Sequence, residues 1–390
     1  MKTNWQPSFF QPSNPKDRTD LEKLKLEKFI EIIDALEEAV EDLFKIDFPY
    51  LAPGSPEFLT TYKQYIQEYC QGSPFEEKGV WVYFQWKRCL VHLPQAHDFY
   101  KLRTARNQFL IEPSEQDAFY AAKIGVAGLS VGSSVVNSIV LSGGAGTLRL
   151  ADLDTLAIVN LNRLLGSVCD LGKPKALNTA HRVYELNPFQ DLTLFSEGFN
   201  EENTAAFFGE CNEKLDLFIE EMDNIYLKIS SRLKARELKI PVIMATDNGD
   251  NAYIDVERFD LEPTRPLFHN LVPEKVLRSV SANPSQAERV KLASKIVGSD
   301  ITPRTQISLM QVGTKLPSWP QLGNAATLSG AAVSYVARRI ITGQPMPSGR
   351  YAVSFDKDID PEFNTPAAQE SRTDQKERFI QGLELLFGMD

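Results

Sequence analysis

Cysteine is scarce in this chain, and long apolar runs are missing altogether. The four cysteines are Cys70, Cys89, Cys169 and Cys211, and no two of them form a Cys-x-x-Cys pair. The sequence therefore predicts neither a zinc ribbon nor a disulfide framework. No stretch approaches the ~20 apolar residues of a membrane span, and the N-terminus lacks a secretory leader pattern. These absences predict a cytoplasmic protein with no membrane partner.

Basic residues are also fewer than acidic residues. The 390 residues include 42 Lys and Arg against 52 Asp and Glu, which gives a formal net charge of −10. Proteins that bind nucleic acid through bulk charge have the opposite balance, so no nucleic-acid partner is predicted. The four histidines share no ligand spacing, and we interpret all of them as structural: His92, His97, His181 and His269. The 43% hydrophobic content is ordinary for a globular protein, and the length suggests two or three domains.

The first hundred residues predict a helical extension with a β-hairpin, which we assign to residues 1–105. A polar arm is followed by apolar residues at helical spacing. The predicted elements are one helix from a Thr19/Glu22 capping box to Phe48-Pro49, a second helix over 57–71, and a hairpin of strands 80–86 and 90–93.

From Lys123 onward, strand and helix patterns alternate. The predicted strands are 124–127, 147–151, 192–195, 215–220 and 241–245, and the predicted helices are 131–141, 175–186, 200–208 and 226–238. Such alternation is typical of a mostly parallel sheet with helices on both faces. We therefore predict an α/β fold with a Rossmann-like, doubly wound sheet.

The predicted α/β domain covers residues 106–355, and its nucleotide-binding core covers 123–260. After Asp260 the regular alternation of strand and helix patterns ends. The remaining predicted segments are an irregular crossover region over 261–320 with a helix at 285–297, a packing helix within 321–343, a strand at 350–355, and a linker with a terminal amphipathic helix over 356–390.

A phosphate-binding loop is predicted between the first strand and the first helix of the core. Gly128 begins it, but Ser130 and Ser133 stand where a dinucleotide fingerprint has glycines, and Gly132 is displaced. Small residues there still let the N-terminal amides of the helix face an anion. Asp152 follows 24 positions after Gly128 (152 − 128), where an acid can accept both ribose hydroxyls. A nucleotide site, of NAD type or another, and a purely structural turn both remain open on this evidence.

Further polar residues cluster at predicted strand ends, and a hydride-transfer site has no need of an arginine and a lysine among them. They are Asp154, Asn160, Arg163, Lys175, Asp223 and Asn224. Each alone could be a solvated surface group. As a set they favour adenylyl transfer, in which Arg and Lys neutralise phosphate charge and a carboxylate holds a metal ion.

These motifs resemble the ThiF/MoeB adenylating superfamily, which includes ubiquitin-activating enzymes. The matched features are the glycine loop, Asp152-x-Asp154, Asn160-Leu-x-Arg163, Gly172-x-Pro-Lys175 and the Asp223-Asn224 strand end. The resemblance implies ATP and Mg²⁺ as cofactors. It implies that Asp152 holds the ribose, that Asn160 and Arg163 contact the phosphates, that Lys175 stabilises the transferring phosphate, and that Asp223 binds Mg²⁺.

The resemblance also implies a homodimer with composite active sites. In the family an arginine before the first strand reaches the γ-phosphate of ATP in the partner subunit. Arg106 is the match in this chain, with Arg103 as the fallback.

Other segments resemble a bacterial ThiF-type subfamily, some of whose members continue into a nitroreductase-like domain. They include Trp81–Trp86, Asp255–Asp260 and Ser318-Trp-Pro-Gln-Leu. We expect the present chain to be the standalone form.

Three features depart from the superfamily pattern, and the first is the pair of serines in the glycine loop, Ser130 and Ser133, which could weaken or reshape phosphate binding. Without Cys-x-x-Cys pairs, the zinc of close MoeB relatives is expected to be missing. No cysteine occurs over 246–320, so a thioester relay is disfavoured; Cys169 is interpreted as a plain loop residue, with a thiol role left open.

The main hypothesis is an ATP- and Mg²⁺-dependent enzyme that adenylates a carboxylate and releases pyrophosphate. The acceptor would be the C-terminus of a small protein or peptide, or a small-molecule carboxylate. Two alternatives stay open. One is a catalytically silent subunit that binds a nucleotide or a partner, suggested by the serine-bearing loop, and the other is an NAD(P)-dependent oxidoreductase.

Overall fold

The computed structural model describes residues 5–209 and 213–387, so Cys211 lies outside the described residues. The chain divides into two compact units. The first comprises residues 1–116 and 180–190, and the second comprises residues 117–179 and 191–390. The division predicted between residues 105 and 106 stays a prediction.

The first unit is built on a four-stranded sheet with the strand order β1-β3-β4-β2. Its elements are β1 (Ser8–Phe10), α1 (Pro15–Lys25), β2 (Glu31–Asp34), α2 (Leu36–Asp47), α3 (Pro56–Cys70), β3 (Val80–Phe84), β4 (Cys89–Leu93) and α4 (Ala96–Thr104). Short 3-10 helices cover Phe75–Glu77 and Ala105–Asn107. The predicted hairpin is confirmed, since β3 and β4 pair antiparallel.

The prediction of one long N-terminal helix is wrong. The helix begins earlier, at Pro15, where the Asn14 side chain accepts hydrogen bonds from the first turn. Thr19 is no cap, because its hydroxyl donates to the carbonyl of Pro15 within the helix. The chain then turns at Phe29, which has a φ of 69°. It continues as strand β2, parallel to β4, because the branched side chains that follow favour an extended backbone.

The second unit contains a seven-stranded sheet. After α5 (Pro113–Ala121), which begins in the first unit, its strands are β5 (Lys123–Ala127), β6 (Thr147–Ala151), β7 (Asp191–Phe195), β8 (Leu217–Glu220), β9 (Val242–Asn248), β10 (Asn251–Glu257) and β11 (Gly349–Val353). The order is β11-β10-β9-β8-β5-β6-β7. Strands β5 to β9 pair parallel, and β10 and β11 pair antiparallel. The predicted mostly parallel α/β fold is confirmed.

The four helices between strands β5 and β9 follow the predicted alternation, and three short helices beyond residue 260 are not among the predicted elements. The helices of this part of the chain are α6 (Val131–Leu141), α7 (Lys175–Leu186), α8 (Thr204–Phe208), α9 (Ile225–Glu237), α10 (Glu274–Leu277), α11 (Gln286–Val297), α12 (Pro303–Leu309), α13 (Gly323–Ile341), α14 (Phe355–Ile359) and α15 (Pro366–Phe387). Helix α13 packs closely on α6, because a Cβ on Gly330 would lie 2.7 Å from the Ser134 backbone. Residues 180–186 of α7 belong to the first unit.

Two sequence expectations in this unit need correction. Strand β10 is absent from the predicted elements; it pairs with β9 through a turn at Gly249, whose φ is 67°. The polar linker expected over 356–370 is instead partly helical, since α14 and the start of α15 lie within it. Pro366 stands at the first position of α15, where its fixed φ and missing N–H suit a helix start.

Over residues 5–209 and 213–387, no helix is both long enough and apolar enough to cross a bilayer. Within the same ranges, no three His, Cys, Asp or Glu side chains converge to hold a metal ion.

Candidate functional site

The predicted site residues of the second unit gather at the carboxyl edge of its sheet. From β5 the chain continues to β6 and β7 on one side of the sheet and then returns to the other side of β5 at β8, so a topological switch point lies between β5 and β8. In open α/β sheets, ligands bind in the crevice at such a point. The N–H of Gly128 donates to the carbonyl of Ala151 at 2.8 Å, which extends the pairing of β5 with β6 up to the first residue of the loop.

The loop after β5 requires glycine at its first position. Gly128 has a φ of 89°, in the region that favours glycine. A Cβ at this position would lie 2.3 Å from the carbonyl oxygen of Glu221, closer than any real contact. The loop therefore sits directly against the segment that follows β8.

Asp152 anchors this loop. One of its carboxylate oxygens accepts the N–H of Leu129 at 2.6 Å, and the other accepts the N–H of Asp154 at 2.8 Å. Burial raises the pKa of Asp152, and these two N–H groups oppose that rise. Each oxygen keeps a second lone pair, so the carboxylate can still accept a hydroxyl.

The two serines of the loop have specific hydrogen-bonding roles. Ser130 stands at the N-cap of α6, but its side chain does not cap the helix. Its Oγ instead lies 3.2 Å from Nε of Arg163 and accepts its hydrogen bond. Ser133 Oγ donates to the carbonyl of Ser130 at 2.9 Å. The first-turn N–H groups of α6, including that of Gly132, have no acceptor within the helix, which leaves them suited to bind an anion.

The segment after β6 carries Asn160 and Arg163. Asn160 Oδ1 accepts the N–H of Ala157 at 3.0 Å, which closes a short 3-10 turn. Arg163 Nη1 donates to the carbonyl of Val159 at 3.2 Å and to Oδ1 of Asn162 at 3.0 Å. Together with Ser130, these contacts hold the guanidinium beside the loop.

Lys175 begins α7 and pairs with Asp154. Its Nζ lies 2.8 Å from Oδ2 of Asp154, and its backbone N–H donates to the carbonyl of the same residue at 2.8 Å. The lysine side chain is 7% exposed and the aspartate 58%. The pair therefore fixes a cation just beneath the surface of the sheet edge.

Asp223 and Asn224 follow the end of β8. Asp223 is exposed, and Asn224 Oδ1 accepts the N–H of Leu227 at 3.1 Å, which caps α9. Arg106 and Arg103 lie in the first unit; Arg106 is exposed on the 3-10 helix Ala105–Asn107, and Arg103 is half-buried. The roles expected of all these residues stay predictions.

One acid at this edge is not among the residues predicted from the sequence. Asp247, near the end of β9, is 5% exposed and accepts hydrogen bonds from Ser329 Oγ at 3.0 Å and Gln321 Nε2 at 3.1 Å. Burial raises its pKa, while these hydrogen bonds and the charge of Arg163 oppose the rise. The sequence does carry a signal for it, because Asp247 lies two residues beyond the predicted strand, at the same sheet edge.

Comparison with known proteins identifies the family. The sequence model of the ThiF family matches residues 104–373. The chain belongs to the ThiF family. The resemblance drawn from the motifs is thereby confirmed.

Two curated relatives illustrate how far the likeness of this ThiF-family chain extends. An uncharacterized protein of Mycobacterium tuberculosis is 34% identical over 285 residues, which cover 73% of this chain and 39% of the relative. A molybdopterin-synthase adenylyltransferase of Haemophilus influenzae is 24% identical over 157 residues, which cover 40% of this chain and 62% of the relative. The ThiF-family chain thus spans less than two thirds of either relative.

Solved structures with a similar fold include E. coli MccB with ATP. It is 14% identical, covers 81% of this chain and 84% of its own, and has a TM-score of 0.47.

Proposed function

We propose that this ThiF-family chain adenylates a carboxylate with ATP and Mg²⁺ and releases pyrophosphate. The observation that carries the proposal is the convergence, at one sheet edge, of the loop at the N-terminus of α6 with two fixed cations. Arg163 is bonded to that loop, and Lys175 is paired with Asp154 at the end of β6. An oxidoreductase of the NAD type needs neither cation at these positions.

ATP would bind along this edge. The loop of Gly128, Ser130, Gly132 and Ser133 would hold phosphate oxygens at the N-terminus of α6. Asp152 would accept the ribose hydroxyls. The other residues proposed to meet the phosphates are Asn160, Arg163 and Lys175, with Asp154 orienting the lysine.

The residues present fit a magnesium ion bound mainly by substrate. Mg²⁺ in phosphate-transfer sites is held by one or two carboxylates together with phosphate oxygens and water, not by a full protein cage. Asp223 is an exposed carboxylate at the strand end nearest the loop, and Asn224 adjoins it. When bound, the ion would neutralise charge on the phosphates.

In the proposed reaction the acceptor supplies the nucleophile. A carboxylate oxygen of the acceptor attacks the α-phosphorus in line, and the bond from that phosphorus to the bridging oxygen breaks as pyrophosphate leaves. Arg163 and Lys175 would neutralise the charge that develops on the phosphate oxygens. The acyl-adenylate would then pass to a sulfur or amine nucleophile.

We also propose a homodimer in which Arg106 completes the partner's site. The segment after β6 supports an interface, because it exposes several large apolar side chains close to the site: Leu153, Ile158, Val159, Leu165, Val168 and Leu171. Such a concentration is typical of a protein–protein contact.

Mixing two inactive variants tests the composite site. Arg106→Ala and Asp223→Ala chains should each lack ATP–pyrophosphate exchange. Co-refolded in equal amounts, they should regain about a quarter of wild-type exchange, since half of the dimers are then mixed and carry one intact site. A mixture as inactive as its components would contradict the shared site.

Calorimetry tests the proposed function itself. ATP is expected to bind with Mg²⁺ present and to be displaced weakly or not at all by NAD. Displacement by NAD would favour the oxidoreductase. Tight ATP binding with no exchange for any carboxylate would favour the catalytically silent subunit.

A further inference from the structure

The motif Ser318-Trp-Pro-Gln-Leu has no role in the adenylation proposed above, yet it lies beside the candidate site. Gln321 of this motif stands two residues before α13. Its carbonyl oxygen accepts a hydrogen bond from Asn162 Nδ2 at 2.8 Å, and its Nε2 donates to Oδ2 of Asp247 at 3.1 Å. The motif therefore joins the segment after β6 to the end of β9.

The contact with Gln321 decides which way the Asn162 amide points. An amide side chain has one accepting end and one donating end. Because Nδ2 of Asn162 is directed at the Gln321 carbonyl, its Oδ1 faces Arg163 and accepts from Nη1 at 3.0 Å. Asn162 is exposed, so without the Gln321 carbonyl its amide would be free to turn and present a donor to the guanidinium.

The guanidinium of Arg163 is held from several directions and keeps one group free. Its Nε donates to Ser130 Oγ, and its Nη1 donates to the carbonyl of Val159 and to Asn162 Oδ1. In the part of the chain that the structure describes, Nη2 donates to no protein group. Since the planar fork of an arginine matches phosphate oxygens in one orientation, these contacts fix the direction in which Nη2 is offered.

Asp247 holds the other end of this path. Its Oδ2 accepts from Gln321, and its Oδ1 accepts from Ser329 Oγ at 3.0 Å. Asp247 is 5% exposed, and Ser329, within α13, is fully buried. The carboxylate thus ties the start of α13 to the end of β9. Its removal would leave both donors without their acceptor, which favours a shift of Gln321.

Helix α13 leaves little room for such a shift to be absorbed. A Cβ on Gly323, its first residue, would lie 2.6 Å from the carbonyl oxygen of Asn162. Further along, Gly330 packs on the backbone of Ser134 in α6, the helix that follows the phosphate loop. A displacement at the start of α13 would therefore be passed on to Asn162, because the two backbones are already in contact.

We propose that Asp247 is a positioning residue, which acts through Gln321 and Asn162 to orient the guanidinium of Arg163 for the phosphates of ATP. Three successive hydrogen bonds carry the effect, so Asp247 needs no contact with the nucleotide. The inference rests on the phosphate contact proposed for Arg163.

Two variants separate this path from a direct effect of charge, since the Asp247 carboxylate also attracts the Arg163 guanidinium. Asp247→Asn keeps the path and removes the charge. Its Oδ1 can accept from Gln321, while its Nδ2 donates to Ser329 Oγ, a hydroxyl that accepts as well as donates. Asp247→Ala removes both the path and the charge. Gln321→Ala interrupts the path at a half-buried residue and leaves Asp247 in place.

The test is calorimetry with Mg²⁺ and ATP, and with adenosine, which has no phosphate. Asp247→Ala and Gln321→Ala should each weaken ATP binding about tenfold, the usual effect of losing a hydrogen bond to a charged group. Their affinity for adenosine should not change. Asp247→Asn should bind ATP within twofold of wild type. In an Arg163→Gln background, Asp247→Ala should cause no further loss, because both changes interrupt one contact.

Asp255→Asn is the matched control for a loss of stability. Asp255 is 3% exposed on the neighbouring strand β10 and pairs with Arg350. The variant should unfold at a lower temperature and keep the wild-type ATP affinity.

The inference is overturned if Asp247→Ala or Gln321→Ala binds ATP as the wild type does. It is also overturned if adenosine binding falls as much as ATP binding, which indicates a general structural role, or if Asp247→Asn loses as much as Asp247→Ala, which indicates a direct effect of charge. Failure of the wild-type protein to bind ATP would instead refute the proposed adenylation.

Discussion

Replacement of Asp223 by asparagine is expected to lower ATP–pyrophosphate exchange about 10²–10³-fold. This is the usual loss when one group that stabilises developing charge is removed from an active site. The side chain keeps its size and loses its negative charge, and the neighbouring carboxylate of Glu221 is already engaged by the N–H of Ala245 at 2.7 Å. The loss should be smaller at high Mg²⁺ concentration, because the defect lies in holding the ion.

Asp216 provides the matched control. It precedes β8, whereas Asp223 follows it, so the two exposed acids flank opposite ends of one strand. Asp216 accepts the N–H of Lys123 at 2.8 Å, which an asparagine carbonyl can also do. Asp216→Asn should therefore retain exchange. Exchange by Asp223→Asn within twofold of wild type would remove this residue from the metal site.

Replacement of Arg232 by methionine is expected to cost about 3–5 kcal/mol of unfolding free energy, because it leaves buried acids without their partner. Arg232 is fully buried and bonds Glu220, and its Nε lies 2.8 Å from Oε2 of Glu257. Its guanidinium also lies 4.3 Å from the ring centre of Phe268. Urea unfolding at neutral pH measures the loss.

The pH dependence identifies the cause. Burial alone would raise the pKa of Glu220, but the charges of Lys228 and Arg232 bring it below its ordinary value of 4.5. The wild type therefore gains stability from this carboxylate above pH 4.5 and loses it as the pH falls further. In Arg232→Met the Glu220 carboxylate keeps Lys228 but lacks Arg232, so its charged form is less stabilised than in the wild type. The difference in unfolding free energy between the two proteins should therefore become smaller as the pH falls toward 4.5.

The exposed pair of Arg278 and Glu274 is the control for this stability prediction. Arg278 Nη2 lies 2.6 Å from Glu274 Oε1, with the arginine side chain 55% exposed. Arg278→Met should cost at most about 1 kcal/mol, since solvent screens an exposed pair. Equal losses for Arg232→Met and Arg278→Met would show that the buried network contributes little.

Local sequence patterns are sufficient to predict much of the α/β unit. The strand at Thr147–Ala151 and the helices at Val131–Leu141 and Lys175–Leu186 have the bounds that their patterns predict. These elements have strong periodicity and clear Gly or Pro boundaries, so neighbouring residues alone decide them. The prediction of one long N-terminal helix is wrong because the apolar spacing of this region fits both a helix and a strand. The local pattern therefore does not reveal that the helix ends before Phe29.

The candidate site likewise has some features that the sequence predicts and others that only the structure shows. The sequence by itself determined which residue types follow each strand, and hence that phosphate-binding chemistry was to be expected at one sheet edge. Only the tertiary structure decided that Ser130 holds Arg163, that Asp247 joins the edge, and that Gln321 links Asp247 to Asn162. These contacts join residues far apart in the chain. Their formation depends on strand order and helix packing, which periodicity does not encode.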